Sequence, residues 1–511
     1  MSGKIKLILA PNYWLHGDAM RGLPYGILPY GVAILKGSLI RGGYAADLCN
    51  LIMYMQRLFE TRNRFSRLLR GKSYKYRLIR YYLGDNDRAV EKLVDHLLDS
   101  IYPDNSRIFG ISVSSESCFL PALVLAKRLK ERYKAKIVLG GPLINLYSQP
   151  IVTKYKYIDY VLRGRCEEPI LKLLDYEKGN IGIKEVPNLE TVYNNELLIN
   201  EIKDYRLEDE GLPDYDGFDF EPYYINKEKK QFIIPYRCAS GCLGKCIFCL
   251  HRVSDKKEYK SLDKVINEIR FLKEKHNTGY FFITDSTIND DVGYLERLCD
   301  RLISENINIY WMALAVPKRL KPDLLRKMYK SGNRYLRFGI ESGSDRILKI
   351  LGKSHTVLEA QETLKNCYDI GIKSHAHFML GIDGESDNDI KSTNEFIIRC
   401  KKYICGLALW ILRKNKGALI CDKEMSGRQD NDRAGNIEYE LLSPITARRG
   451  SYNHGYYSLL FRTASKYINK PFGSPSRYLF FVRIMTFLGI NRKNQGIQAE
   501  ILRILKCIFN A

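Results

Sequence analysis

Short apolar runs alternate with segments of helical periodicity over the first 178 residues. Continuous apolar runs of this length are typical of strands that are buried on both faces, and they occur at 5–9, 107–114 and 135–142. Between them, apolar residues recur every three or four positions, which predicts amphipathic helices. Strands that alternate with helices indicate a doubly wound parallel sheet, whose ligand site lies at the carboxyl ends of the strands.

A second alternating series begins near residue 231, after a stretch with turn signals and no sustained periodicity. Six apolar strands separated by amphipathic helices predict a partial (β/α)6 barrel of the TIM type, with its chemistry at the carboxyl ends of the strands. We therefore predict an α/β fold with four parts. They are an N-terminal Rossmann-like doubly wound domain (1–178), a linker with a small meander (179–230), the barrel (231–412), and a mainly helical, basic and aromatic C-terminal region (413–511).

Composition places the chain among globular proteins, because 45% of its residues are hydrophobic and 12% are aromatic. The longest apolar stretch near the end, 478–490, is short and interrupted by Arg483, so no transmembrane helix is predicted. The first twelve residues lack the apolar core of a signal peptide, and thirteen cysteines make an odd number. We therefore expect a reducing, cytoplasmic location.

The net charge of +23 is concentrated in two segments. Residues 57–80 carry +8 and residues 447–511 carry +10, and both segments also contain aromatic and aliphatic side chains. This pattern suits peripheral contact with an anionic membrane, and hence a lipid-like substrate, although a solvated basic surface explains it equally well. Because the remaining residues are nearly neutral overall, nucleic acid is not favoured as a partner.

Three cysteines follow the first predicted barrel strand directly, with the spacing C-x3-C-x2-C at Cys242, Cys246 and Cys249. Three thiolates can hold three irons of a [4Fe-4S] cluster and leave the fourth iron open to a ligand. A zinc knuckle completed by Cys238 is the alternative, but zinc ribbons pair two knuckles and no second pair is present.

The cysteine motif, with Phe248 before its last cysteine, is similar to the signature of the radical S-adenosylmethionine (radical SAM) superfamily. Residues 338–356 resemble the fourth-strand motif of that family, and 371–386 resemble its fifth strand and following turn. The resemblance implies that the cluster, reduced by an external one-electron donor, cleaves SAM to methionine and a 5′-deoxyadenosyl radical. It also implies a set of SAM-binding residues, in which the acidic residue holds the ribose: Phe248, Glu341, Ser342 and His377.

Strand alternation adds two expectations about the barrel. It places Arg337, Gly339 and Glu341 on the face that lines the lumen, together with His375 and His377 of the next strand. Asp285 closes the second strand, as either a polar contact or the N-cap of the following helix, and we favour the cap.

The front domain resembles the cobalamin-binding domain of one large radical SAM subgroup, in the segments 28–44, 110–116, 139–142 and 163–174. A corrin requires a wide crevice, glycines where the backbone comes close, and small hydroxyl side chains in the loops. The implied cobalamin-binding residues are Pro29, Tyr30, Ser112, Ser114, Gly140, Gly141, Pro142 and Glu167. No D-x-H-x-x-G motif follows any strand, so the sequence offers no histidine as a lower ligand to cobalt. A Rossmann-like domain that has lost cobalamin therefore stays open as an alternative.

The resemblance as a whole implies a cobalamin-dependent methyltransferase that acts on an unactivated carbon of a small-molecule or lipid-like substrate. The alternative is a cobalamin-independent radical SAM enzyme that catalyses a cyclisation, a rearrangement or C–C bond formation. An RNA methylthiotransferase fits less well, because Cys49, Cys118 and Cys166 lie at unsuitable positions for its second cluster. A zinc-containing nucleic-acid-binding protein leaves the barrel series unexplained.

Overall fold

The computed structural model describes residues 4–11, 28–60, 74–101, 106–147, 149–249, 257–415 and 446–449, together with residues 65 and 68. The chain divides into two compact units, the first formed mainly by residues 29–219 and the second mainly by residues 220–428. Most of the predicted C-terminal region and of the basic segment 447–511 lies outside the described residues. In the described ranges, no helix is long and apolar enough to cross a membrane.

The first unit is a sheet of seven strands covered by helices. Its strands are β1 (Lys4–Leu9), β2 (Ala45–Asn50), β3 (Ile108–Ser112), β4 (Lys136–Gly140), β5 (Tyr160–Leu162), β6 (Leu189–Tyr193) and β7 (Glu196–Ile199). Its helices are α1 (Tyr30–Arg41), α2 (Leu51–Glu60), α3 (Tyr74–Leu83), α4 (Arg88–Asp99), α5 (Glu116–Tyr133) and α6 (Glu167–Glu177). The strand order is β2-β1-β3-β4-β5-β6-β7, with β1 to β5 parallel and the β6–β7 hairpin antiparallel.

This order confirms the predicted doubly wound sheet. The chain moves outward from β1 to β2 and then returns to place β3 on the other side of β1, so the direction of winding reverses between β1 and β3. Ligands of open α/β sheets bind in the crevice that forms at such a switch point, at the carboxyl ends of the strands. The β6–β7 hairpin extends the sheet and lies in the segment that we predict as linker and meander.

Local sequence explains where the helices of this unit begin and what they bury. Asp87 caps α4 by accepting hydrogen bonds from the backbone N–H groups of Ala89 and Val90, both at 3.1 Å. The apolar positions of this helix then recur with helical spacing and are all buried: Val90, Leu93, Val94, Leu97 and Leu98.

The second unit is built on six parallel strands in the order β15-β14-β13-β12-β11-β8. They are β8 (Ile233–Tyr236), β11 (Tyr280–Ile283), β12 (Tyr310–Ala315), β13 (Asn333–Glu341), β14 (Lys373–Leu380) and β15 (Ile404–Ile411). Short antiparallel pairs are formed by β9 (Ala239–Ser240) with β10 (Glu258–Tyr259), and by β16 (Arg413–Asn415) with β17 (Thr446–Arg449). Helices between the strands are α7 (Leu262–His276), α8 (Val292–Ser304), α9 (Pro322–Lys330), α10 (Asp345–Ile350), α11 (Val357–Ile370) and α12 (Asp387–Cys400).

The two faces of this sheet differ in composition. On one face, Ile233, Phe282, Met312 and Tyr335 pack together with Ile225 in a single cluster, and we call this the inner face. The opposite face is completely buried and apolar, as shown by Phe281, Trp311, Leu336, Phe338 and Ala376. The predicted partial (β/α)6 barrel is confirmed, and Arg337 and His377, which are hydrogen-bonded to each other, lie on its inner face.

Candidate functional site

The three predicted cluster cysteines lie in the loop that follows β8 and β9. The N–H of Gly244 donates a hydrogen bond to Cys242 Sγ at 3.3 Å. A Cβ atom on Gly244 would lie 3.2 Å from Cys242 Sγ and 3.8 Å from Cys246 Sγ, so both sulfurs lie beside this glycine. Cys249 acts electrostatically on both other thiols, and the three are therefore grouped as predicted.

The donor set fits a [4Fe-4S] cluster. Burial raises the pKa of the thiols of Cys242 and Cys246, and the positive charge of Lys353 opposes this rise at Cys246. Thiols in such surroundings become thiolates when a metal centre supplies the compensating charge. Three sulfur ligands from the protein leave one iron of the cluster without a protein ligand.

Cys238 stands apart from this group. It is completely buried, whereas the three loop cysteines are partly exposed, and the charged groups that act on it most strongly are Asp285, Lys260, Glu268 and Lys257. Burial raises the pKa of its thiol well above the usual value. In the described part of the chain, no three His, Cys, Asp or Glu side chains form a site for a single metal ion.

Asp285 anchors the start of the cysteine loop. Its Oδ1 accepts hydrogen bonds from the N–H groups of Cys238 and Ala239, both at 2.9 Å, and burial raises the pKa of its carboxyl group to about 6. Asp291 caps the following helix by accepting from Tyr294 N at 3.0 Å. The predicted N-cap role of Asp285 is therefore wrong, because six residues of loop separate it from the helix that it was expected to start.

Glu341 ends β13 beside the cysteine loop, with a backbone φ of +67° that is unusual for a glutamate. Its Oε1 lies 3.3 Å from Nζ of Lys353, and both side chains are buried. A Cβ atom on Gly339 would lie 2.6 Å from that oxygen and 3.2 Å from the Lys353 nitrogen. Only glycine therefore leaves room for this ion pair above the inner face.

Sequence reasoning missed Lys353 as a functional residue. Its nitrogen lies 3.3 Å from Glu341 at the end of β13, and its charge acts on Cys246 of the cysteine loop and on His377 of β14. The signal was present, because Lys353 falls within the segment 338–356 that carries the fourth-strand motif. The sequence does not show which acidic residue a lysine between two helices will contact in the folded protein.

Phe248 belongs to an apolar cluster at the same end of the sheet. Phe248 and Ile247 are partly buried and pack against this cluster, whose buried members include Ile382 in the segment after β14. Met379, one residue before the end of β14, packs against the same cluster. Ile347 and Ile350 of α10 belong to the same cluster, as does Leu351 directly after this helix. The predicted site thus has an apolar wall next to the charged pair of Glu341 and Lys353.

The remaining two predicted SAM-binding residues lie in different surroundings. His377 is on the inner face, where its Nε2 accepts a hydrogen bond from Arg337 Nε at 3.3 Å. Ser342 is completely buried, and its hydroxyl lies 3.1 Å from that of Thr393 on α12. The Ser342 hydroxyl thus contacts another side chain in the protein interior, whereas the His377 side chain lies on the inner face of the candidate site.

Comparison with known proteins decides what this arrangement is. The family model of the Radical SAM superfamily matches residues 236–397, which include the cysteine loop, Glu341, Lys353 and His377. This part of the chain is a radical SAM domain. The three cysteines, the fourth-strand motif and the fifth-strand turn that we identify from sequence all fall inside it.

Two curated relatives are similar in sequence to more than half of this chain. The chain is 22% identical over 295 residues to an uncharacterized methyltransferase of Pyrococcus horikoshii, covering 57% of this chain and 63% of the relative. It is 24% identical over 321 residues to the anaerobic magnesium-protoporphyrin IX monomethyl ester cyclase of Cereibacter sphaeroides, covering 59% and 50%. The chain thus spans between half and two thirds of the length of these relatives.

A solved structure extends the likeness beyond the radical SAM domain. The chain is similar in fold to the radical S-adenosylmethionine methyltransferase TsrM from Kitasatospora setae, whose structure holds cobalamin and a [4Fe-4S] cluster. The TM-score is 0.63 with 12% sequence identity, and the match covers 99% of each chain. The likeness in fold therefore covers both units of this chain.

The predicted cobalamin residues lie at the carboxyl ends of the strands in the unit that precedes the radical SAM domain. Ser112 ends β3 opposite Gly140, which ends β4. Gly141 has a φ of +109°, and a Cβ atom there would lie 2.7 Å from the Val113 carbonyl oxygen. Ser114 and Pro142 are exposed in the loops that follow these strands.

The other predicted cobalamin residues lie at helix starts of the same unit. Pro29 precedes α1 and accepts a hydrogen bond from Ala33 N, while the Tyr30 hydroxyl donates to Glu210 Oε1 at 2.8 Å. Glu167 begins α6 and is partly exposed. The structure therefore gathers the serines and glycines on two adjacent strand ends and places the helix-start residues on other elements.

Proposed function

We propose that this protein is a cobalamin-dependent radical SAM methyltransferase that acts on an unactivated carbon of a small organic substrate. The observation that carries the proposal is the buried pair of Glu341 and Lys353 beside the three grouped cysteines of the radical SAM domain. The likeness in fold to a methyltransferase that binds both cobalamin and a cluster supports it.

The pair offers two opposite charges to a zwitterionic ligand. SAM carries a carboxylate, an ammonium group and ribose hydroxyls, so a buried ammonium can bind the carboxylate while Glu341 accepts hydrogen bonds from the hydroxyls. The charge of Lys353 acts on Cys246 of the cysteine loop, and we assign Lys353 the carboxylate. The apolar cluster around Phe248 and Ile382 gives the adenine base a dry surface.

The proposed cofactors supply chemistry that amino-acid side chains lack: the cluster an electron for cleaving SAM, and cobalamin a carrier for the methyl group. The protein contributes binding, orientation and exclusion of water. Cys242, Cys246 and Cys249 would hold the cluster, and Asp285 fixes the backbone from which their loop departs. In the first unit, Ser112 and Gly140 end neighbouring strands and Gly141 follows directly, and a corrin would lie at these strand ends.

Anaerobic reconstitution of single variants tests the cluster assignment. Replacing Cys242, Cys246 or Cys249 by Ala should abolish formation of 5′-deoxyadenosine from SAM with a chemical one-electron reductant. Cys299→Ala is the matched control, because Cys299 is equally a cysteine but is buried in α8. Wild-type protein should bind about four irons per chain. Persistent SAM cleavage in any of the three loop variants would contradict the assignment.

The visible spectrum of the reconstituted protein tests the cobalamin assignment separately. We expect corrinoid to be retained at close to one per chain, and to be lost in a variant with Gly140→Leu. Gly140 ends β4 opposite Ser112, and a Cβ atom there would lie 3.4 Å from the Leu162 carbonyl oxygen, which is an ordinary contact. Methyl transfer from isotopically labelled SAM to a product would establish the reaction class. SAM cleavage without retained corrinoid would favour the cobalamin-independent alternative.

A further inference from the structure

A cation without a counter-ion lies on the inner face of the radical SAM domain. Arg337 is on β13, two residues beyond the buried Tyr335, and its side chain is partly buried. The only hydrogen bond that it makes with the described residues joins its Nε to His377 Nε2 at 3.3 Å. No Asp or Glu of the described ranges forms an ion pair with it, and its two terminal nitrogens have no hydrogen-bond partner there.

The carboxylate further along the same strand is already neutralised. Glu341 pairs with Lys353 at 3.3 Å, and Gly339 separates this pair from Arg337 along the strand. Glu341 and Arg337 of β13 together with Lys353 therefore leave one positive charge. A buried charge is costly unless it is paired, so the fold retains Arg337 at the expense of stability.

The neighbouring histidines do not change this balance. Burial lowers the pKa of His377 to about 3 and that of His375 well below its usual value, so both rings are neutral at pH 7. His377 Nε2 accepts from the guanidinium, and the Tyr335 hydroxyl lies 2.8 Å from His375 Nδ1. These contacts fix the rings, and the His377 contact holds the Nε edge of Arg337 while its terminal nitrogens stay open.

We propose that Arg337 is a specificity-determining residue that binds an anionic oxygen group, a carboxylate or a phosphate, of the substrate. A planar guanidinium presents two parallel N–H donors, which match the two oxygens of such a group. The inference rests on the proposed function, because it assumes that the substrate of this radical SAM domain binds at the inner face. It narrows the substrate class to anions, whether the charge comes from a phosphoryl group or from a carboxylate.

Thermal unfolding of the reconstituted full chain tests the inference with inorganic phosphate and acetate as separate probes at constant ionic strength. A ligand that binds only the folded state raises Tm, so at least one probe should stabilise the wild type. The Arg337→Gln variant should bind that probe about tenfold or more weakly, since a charge-assisted pair of hydrogen bonds is lost. Arg326→Gln is the matched control, because Arg326 is an exposed arginine of α9. The probe that binds more tightly through Arg337 identifies the substrate's anionic group.

Stability without any probe gives a second readout. Arg337→Met removes an uncompensated charge, so its Tm should be equal to or higher than that of the wild type, whereas a structural arginine would lower Tm when removed. Either a lower Tm for Arg337→Met or equal probe binding by Arg337→Gln and wild type would overturn the inference. The same is true if neither probe stabilises the wild type.

Failure of the proposed function has a different signature. If the wild type does not cleave SAM but still binds an anion through Arg337, the anion site stands and the radical SAM function falls. If the wild type cleaves SAM and anion binding is independent of Arg337, the function stands and this inference falls.

Discussion

A methyl group at position 339 should separate SAM binding from folding. In Gly339→Ala, the new Cβ would lie 2.6 Å from Glu341 Oε1, about 0.8 Å closer than an ordinary contact, and 3.2 Å from Lys353 Nζ. Gly339 lies within a strand and has no positive φ, so the backbone accepts alanine without strain. The carboxylate and the ammonium group must therefore move while the strand stays in place.

The magnitude follows from the bonds that the displaced carboxylate would make. One charge-assisted hydrogen bond contributes about 1.5–3 kcal/mol, which corresponds to about 10- to 150-fold weaker SAM binding. Replacing glycine also stabilises the fold by about 0.4–1 kcal/mol through the unfolded chain, which offsets part of the crowding. We therefore expect a cooperative unfolding transition and an unchanged iron content.

Equilibrium dialysis of SAM against anaerobically reconstituted protein measures this affinity. Gly406→Ala is the matched control, because its Cβ would also crowd an inner-face side chain, at 2.6 Å from His375 Nδ1, but away from Glu341. The reasoning is refuted if Gly339→Ala binds SAM as tightly as the wild type, or if Gly406→Ala loses affinity to the same extent.

Three further predictions concern the two units separately. Gly141→Ala should lower the free energy of unfolding, measured in urea, by about 1–3 kcal/mol, because φ at this position is +109° and the new Cβ would lie 2.7 Å from the Val113 carbonyl oxygen. Gly43→Ala is the control and should lower the free energy of unfolding less, because φ is +80° but the space around the new Cβ is open. Lys353→Met should lower it by about 3–5 kcal/mol by leaving Glu341 buried without a partner, and adding Glu341→Gln should restore most of the loss; no restoration would contradict the pairing. Because burial raises the pKa of Asp285 from 3.8 to about 6, the folded state binds this proton more tightly than the unfolded state does, so its contribution to stability is present below pH 4 and is lost as pH rises through 6. In wild type, this group should lower the free energy of unfolding by about 3 kcal/mol between pH 4 and pH 7, and Asp285→Asn should remove this pH dependence. Urea unfolding across that pH range measures it, and an unchanged pH dependence in the variant would refute the assignment.

Sequence reasoning succeeded where one local rule controls the outcome. The three cysteines are four and three residues apart, so their grouping depends on one loop and not on distant contacts. Strand alternation placed His377 correctly on the inner face, because successive side chains of a strand point to opposite sides. It also placed Glu341 at the end of β13, where the site lies.

Sequence reasoning failed where a side chain meets residues that are distant along the chain. Asp285 was predicted to cap the next helix, yet it bonds the backbone 46 and 47 residues earlier, because β8 and β11 are neighbours in the sheet. The partner of Ser342 is Thr393, 51 residues later. The spacing of residues along the chain does not predict which polar residue will be the hydrogen-bond partner of one so distant in sequence.

The sequence by itself determined the alternation of strands and helices, the cysteine spacing and the glycines at the strand ends, since these depend on neighbouring residues and on backbone conformation. Only the tertiary structure decided that Lys353 neutralises Glu341 and that Arg337 is left without a counter-ion. The interaction between two charges depends on the distance between them and on how far burial excludes water from them. Both are fixed only when folding brings separate strands together.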